Sequence, residues 1–225
     1  MPESRIKKIF DFITKRKFDN SSIIIFSGSL PPGVPADFYK KCIDNLKKNF
    51  PAIRVCLDAD NQPLKYGIQA HPYIVKPNIW EFSRLISKKI TSFEILKNAA
   101  EKFVSSGISF LIITLGEKGA IGFSKNESYY TKSVAIKKGN TVGCGDIFLG
   151  AFAMEISRSG DFRKSLLFAT AAGTAKSIKP GTEIPEPEEI EKILNKVSIK
   201  SIGEMDEKTK ISILPEMPEK KLKAN

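Results

Sequence analysis

Gly139-Asn140-Thr141-Val142-Gly143-Cys144-Gly145-Asp146-Ile147-Phe148-Leu149-Gly150 sets two glycines just before an acid, and an apolar pattern of helical spacing follows. The run reads as a turn feeding a helix. Glycine at 143 and 145 opens backbone angles closed to other residues and leaves no side chain between main chain and ligand. Exposed N–H groups of the turn and of the first helical turn then converge on one spot, which attracts anionic oxygen. Asp146 adds a carboxylate there. It is placed to accept the proton of an attacking hydroxyl while backbone donors stabilise charge on a transferring phosphoryl group. An ordinary helix start with a favourable first-turn acid accounts for the same residues.

Outward from this turn, short apolar runs alternate with helical periodicity. A helix over residues 6–18 is stopped by Asp19-Asn20-Ser21, and Ser22-Ile23-Ile24-Ile25-Phe26 reads as a buried strand. A helix over 37–48, strands over 52–57 and 73–76, a helix around Trp80-Glu81-Phe82, and a helix over 93–104 come next. Phe110-Leu111-Ile112-Ile113-Thr114 reads as another strand, followed by 120–123 and by edge strands at 129–131 and 134–136. Helices are expected over 147–156 and 162–178, and a charged helix to about Val197. The pattern is α/β.

Three further stretches carry chemistry. Small and φ-restricted residues at Ser27-Gly28-Ser29-Leu30-Pro31-Pro32-Gly33-Val34-Pro35 shape a loop beyond a strand's carboxyl end, where ligands bind in open α/β sheets; a rigid turn with capping serines is the bland alternative. Lys76, Asn78 and Glu81 follow the next strand: a lysine to neutralise phosphate, an amide to orient a ligand, a carboxylate to hold Mg²⁺ through water. An N-cap with a first-turn acid explains them equally. Thr114-Leu115-Gly116-Glu117-Lys118-Gly119 is a glycine-containing reversal or a phosphate-side loop. It lacks the G-x-x-x-x-G-K-[S/T] arrangement of a P-loop. Asp58 is either a functional strand-end acid or a loop cap, and stands outside the primary site.

Asn140-Thr141-Val142-Gly143-Cys144-Gly145-Asp146 resembles the N-T-V-G-A-G-D signature of the ribokinase-like (PfkB-type) carbohydrate kinases, phosphosugar branch. Ser27 to Val34 is similar to their S-G-S-L-P-x-G-V segment, and Lys76-Pro77-Asn78-Ile79-Trp80-Glu81 to their K-P-N-x-x-E segment. The resemblance runs from about Ser22 to Val197 and includes 1-phosphofructokinases and tagatose-6-phosphate kinases. It implies a Rossmann-type three-layer sandwich and ATP-dependent phosphorylation of a hexose phosphate, with ATP and Mg²⁺ as cofactors. By that resemblance Asp146 is the base and Gly143, Cys144 and Gly145 the anion hole. Lys76, Asn78, Thr114, Gly116, Gly119, Thr174 and Gly181 contact the nucleotide, Ser27, Gly28 and Ser29 the phosphosugar, and Glu81 organises Mg²⁺. Thr174 reads equally as a hydroxyl returning to its own helix.

Such kinases carry an N-terminal portion with a sugar-binding acid, a glycine-rich sugar loop and lid strands. The expectation here is therefore the C-terminal portion of the fold without lid or acceptor-binding region: a partial kinase domain over 1–197 and a charged, flexible or partner-bound extension over 198–225. A homo-oligomer or a complementing N-terminal chain is the implied partner. A catalytically incomplete nucleotide-binding or regulatory protein is the alternative function. Cys144 stands where the family has alanine, and its sulfur is expected to crowd the phosphates; an anion hole at a helix start would also lower a thiol pKa.

Composition narrows the classes. The chain has 225 residues, one histidine and three cysteines, too few for a disulfide framework. No apolar run reaches membrane-spanning length, and the first residues lack a secretory pattern, so a cytoplasmic location is expected. The net charge of +11, from 36 Lys and Arg against 25 Asp and Glu, favours anionic ligands. Its lysines are scattered rather than tracked with aromatics, which makes a nucleic-acid scaffold the weaker alternative.

Overall fold

The computed structural model describes residues 2–19, 21–136 and 139–214. Its elements run α1 (Glu3–Thr14), β1 (Ile23–Ser27), α2 (Phe38–Asn49), β2 (Arg54–Asp58), α3 (Asn61–Gly67), β3 (Ile74–Val75), α4 (Ile79–Leu85), α5 (Phe93–Ser105), β4 (Phe110–Thr114), β5 (Ala120–Phe123), β6 (Ser128–Lys132), α6 (Cys144–Ser159), α7 (Phe162–Ile178), α8 (Pro187–Leu194), β7 (Ser198–Ser201) and α9 (Glu207–Ser212). The strands form one mixed sheet in chain order, β1 to β7. β1 to β4 are parallel, and β4 to β7 are antiparallel.

Side chains alternate across a strand, so each buried strand feeds two faces. Val55, Leu57, Val75, Leu111, Ile113 and Ile121 join the cluster that contains α2, α3, α4 and α5. Cys56, Ile74, Ile112 and Ala120 face the opposite cluster, built from α6 and α7. That is the expected three-layer sandwich. Phe110, Phe152 and Phe162 lock the second face together with ring centroids 5.0–6.1 Å apart, within the range in which aromatic pairs attract beyond their burial. Glu155 of α6, 1 % exposed, is paired with Lys164 of α7 at 3.1 Å and with Arg158 at 2.7 Å.

Three features depart from the sequence reading. Val134, Ala135 and Ile136 form no strand; the outer edge of β6 is paired to β7 instead, and Val134 packs beside α7 and α8. Residues 61–67, left without an element, form α3, capped where the Asp60 carboxylate accepts from Asn61 N–H. The boundary drawn at 197 cuts through packed structure. Ser198–Ser201 is a paired strand, and Ile202, Met205 and Ile213 are buried in the larger core. The rest of the expected extension, residues 215–225, lies outside the described residues.

Candidate functional site

β1, β2, β3 and β4 run parallel, so their carboxyl ends share one edge of the sheet. A cleft of about 960 Å³ opens there, lined by Ser27, Gly28 and Ser29 after β1, Asp58 of β2, Lys76, Asn78 and Glu81 after β3, and Thr114, Gly116 and Gly119 after β4. Cys144, Gly145 and Asp146 of α6 and Gly173, Thr174 and Ser177 of α7 complete its walls. The volume lies within the usual range for small-ligand sites, roughly 300–1,000 Å³.

At the start of α6, Gly143 takes φ +75°, the left-handed conformation that glycine tolerates. The N–H of Cys144 is committed to the Thr141 carbonyl at 3.3 Å. Those of Gly143, Gly145 and Asp146 donate to no acceptor among the described residues, which leaves three donors at the helix's positive end. Gly143 itself does not line the cleft. Asp146 is exposed, and Ser27 Oγ donates to its Oδ1 at 2.8 Å. Residues 119 positions apart in the chain thus meet at the carboxylate.

Behind them Lys76, 4 % exposed, pairs with Asp58 at 2.8 Å. Burial pushes the Asp58 carboxyl up, partly offset by the Lys76 ammonium. A side chain at Gly145 would place its Cβ 3.3 Å from Lys76 Nζ, so glycine there lets the ammonium approach the α6 terminus. Asp58 is a site residue that the sequence reading left aside.

The Lys76–Glu81 segment shows the local structure of a helix start. Asn78 Oδ1 accepts from the N–H groups of Trp80 and Glu81, both at 2.9 Å, and Glu81 Oε2 accepts from Asn78 N–H at 2.7 Å, a complete capping box. Burial raises the Glu81 carboxyl, opposed by the Asn78 N–H and the Lys76 ammonium. Asp60 is held by Arg84 through bonds of 3.2 and 2.6 Å, which ties α3 to α4. Thr114 lies beside Asn78 in a parallel bridge, its N–H on the Pro77 carbonyl at 3.0 Å. Thr174 Oγ1 donates to the Thr170 carbonyl at 2.7 Å and meets Ser133 Oγ at 2.8 Å, so its hydroxyl does return to its own helix. Gly181 is not in the lining; its carbonyl accepts from Asn140 Nδ2 at 2.7 Å and Lys176 Nζ at 2.8 Å.

For Cys144 the expected lowered thiol pKa is corrected. Burial raises it, with the Lys176 ammonium a smaller opposing influence, and Sγ donates to the Asn140 carbonyl at 3.1 Å. Cys42 and Cys56 are 0 % exposed, their thiols pushed up to about 12 by burial. A thiol-disulfide reagent is therefore expected to titrate one cysteine in the folded protein and three after denaturation, the native rate climbing through alkaline pH. Two or more fast native equivalents would contradict this burial pattern.

Glu81 and Asp58 are hard oxygen donors at the cleft, but among the described residues no three His, Cys, Asp or Glu side chains gather into a metal cage. Such a site suits Mg²⁺, which keeps several waters and takes its remaining ligands from one or two carboxylates and a substrate's phosphates. Among the described residues no helix is long and apolar enough to cross a membrane.

A family model described as pfkB family carbohydrate kinase matches residues 7–189. The chain is 28% identical over 179 residues to the ATP-dependent 6-phosphofructokinase isozyme 2 of Escherichia coli, covering 79% of this chain and 57% of that protein. It is 27% identical over 184 residues to a 1-phosphofructokinase of Borreliella burgdorferi, covering 81% and 58%. Among solved structures it is similar to phosphofructokinase-2 from Escherichia coli in complex with potassium, with TM-score 0.80, 26% identity, and 87% of this chain and 63% of that one covered. The chain thus spans less than two thirds of the length of these relatives, and its fold is the ribokinase-like α/β sandwich.

Proposed function

This chain belongs to the pfkB family of carbohydrate kinases, and we propose that it transfers the γ-phosphoryl group of ATP to a hexose phosphate, as 1-phosphofructokinases and tagatose-6-phosphate kinases do. The observation that carries this reading is the 2.8 Å bond from Ser27 Oγ to Asp146 Oδ1. It joins the loop assigned to the phosphosugar to the carboxylate assigned as base, directly beside the α6 donors that meet no acceptor among the described residues.

In this reading Ser27, Gly28 and Ser29 receive the acceptor, and Asp146 takes the proton from its attacking hydroxyl. The N–H groups of Gly143, Gly145 and Asp146 stabilise charge on the phosphoryl oxygens as it develops. Cys144 braces the turn instead of offering a donor to the phosphoryl group, its N–H bonded to the Thr141 carbonyl and its Sγ to the Asn140 carbonyl. Lys76, which Asp58 holds, borders the nucleotide together with Asn78, Thr114, Gly116, Gly119 and Thr174, and Gly181, outside the lining, acts through its carbonyl's bond from Asn140. Glu81 and Asp58 are the residues that would hold Mg²⁺; when bound, the ion neutralises phosphate charge.

Ser27, Gly28 and Ser29 are all exposed, whereas Lys76 and Gly119 are buried. That openness favours, as a second reading, a nucleotide-binding protein whose acceptor side is completed by a second copy or another chain. ADP release by the purified chain from Mg²⁺–ATP, with fructose 1-phosphate, fructose 6-phosphate and tagatose 6-phosphate compared, tests the first reading. At least one sugar is expected to raise ADP release well above the sugar-free rate. Nucleotide binding with no sugar-dependent release would favour the second.

A further inference from the structure

The family match ends at residue 189, yet the chain beyond it returns to the cleft. β7 pairs with β6, and Ile202, Met205 and Ile213 are buried in the same cluster as Leu115, which opens the loop between β4 and β5. Leu214, just past α9, packs against that cluster.

One side chain joins the loop to this segment. Lys118 Nζ donates to the Leu214 carbonyl at 3.2 Å, from 96 positions away in the chain. The last carbonyls of a helix have no partner within it, and a lysine is favourable there because that end carries partial negative charge. Lys118 is thus a cap on α9 contributed by the loop. Its own carbonyl accepts from the Tyr130 hydroxyl at 2.8 Å, so β6 holds the main chain of the residue and the C-terminal segment holds its ammonium. Leu115, Gly116, Glu117 and Gly119 line the cleft, whereas Lys118 does not. Gly116 meets nothing within 4 Å of its Cβ position. The loop therefore takes its place from Lys118 and Gly119 rather than from packing around Gly116.

We propose that Lys118 is a positioning residue for nucleotide binding: by capping α9 it couples the C-terminal segment, residues 198–214, to the loop that borders the phosphates, and nucleotide affinity depends on that segment. The proposal rests on the nucleotide reading of the cleft. It gives a use to a part of the chain outside the family match. It also separates Lys118 from a direct phosphate contact, since an ammonium aimed at a phosphate would act without α9.

Lys118→Met keeps most of the stem and removes the donor. Mg²⁺–ADP, followed by the fluorescence of Trp80 in the cleft, is expected to bind this variant about 5–20-fold more weakly than the wild type, the lower part of the range in which remote groups couple to a site. The urea midpoint is expected to move little, and Lys118→Arg, which still donates to a carbonyl, to recover most of the affinity. In turnover with a hexose phosphate the loss is expected in KM for ATP rather than in kcat. Ile213, 2 % exposed, packs the residue before Leu214 into the core. Ile213→Ala is expected to weaken nucleotide binding in the wild-type background and to add nothing in Lys118→Met, the mark of residues that act through one another. Wild-type affinity in Lys118→Met would overturn the proposal. So would losses that multiply in the double variant, which would make Lys118 an independent contact, or a lowered urea midpoint with unchanged affinity, which would make it a brace of the fold alone. A chain that binds Mg²⁺–ADP but transfers no phosphoryl group would remove the kinase reading and leave this proposal standing.

Discussion

Asp146→Asn is expected to lower phosphoryl transfer by about 10²–10⁴-fold, the usual contribution of a positioned general base, with nucleotide affinity retained and stability lowered by no more than about 1 kcal/mol. The substitution keeps the side chain's size and leaves a carbonyl oxygen to accept the bond from Ser27 Oγ, 2.8 Å from Oδ1 in the native protein. It removes the capacity to take a proton, together with a first-turn charge of α6 worth about 0.3–1 kcal/mol. Asp146 is exposed, and losing a first-turn charge costs at most about 1 kcal/mol, a small part of the several kcal/mol by which a domain is stable. Loss of turnover with the fold intact is therefore assigned to the chemistry. The separation is measured with kcat and nucleotide affinity on the same samples, the latter from the fluorescence of Trp80, the chain's one tryptophan, which lines the cleft. Equal losses in both quantities would make Asp146 a binding residue, and no loss would remove it from the chemistry.

Gly119→Ala is expected to destabilise the fold by about 2–6 kcal/mol, summing a glycine-only backbone conformation and a steric clash that cannot relax. Gly119 has φ +103° and ψ −136°. A Cβ built there would lie 1.9 Å from the Thr131 carbonyl oxygen and 2.9 Å from the Ser133 nitrogen. Both are backbone atoms of the segment leaving β6, so no rotamer change makes room. Gly116 provides the comparison inside the same loop. It has φ +64° with nothing within 4 Å of its Cβ position, so Gly116→Ala is expected to cost only the left-handed penalty of about 1–2 kcal/mol. Urea midpoints read both. Equal midpoints for the two variants would show that the approach of β6 does not constrain the loop.

The fold was legible because its strands are continuous apolar runs and its helices keep their period. Ser22 to Phe26 and Phe110 to Thr114 both declare themselves without context. β7 did not, because Ser198-Ile199-Lys200-Ser201 has one apolar side chain and owes its conformation to pairing with β6. The same holds for 134–136, whose short apolar run fits a strand, yet whose place beside β6 is taken. Propensity cannot report such competition.

The site divides along similar lines. Asp146 and the glycines stand out in the chain because their chemistry is local, a turn with its helix. Asp58 does not, since its meaning depends on Lys76 arriving from the next strand. Asn78 and Glu81 show the opposite case: the cap and the candidate ligand role read identically in sequence, and the capping box occupies one Glu81 oxygen, Oε2.

The most direct test of the account is product formation: the purified chain with Mg²⁺–ATP labelled in the γ-phosphoryl group and a hexose phosphate, followed by phosphorus NMR of the sugar. The account predicts a hexose bisphosphate carrying the label, formed by the wild type and not detectably by Asp146→Asn over the same interval. Nucleotide bound in the cleft with the label never reaching the sugar would contradict it.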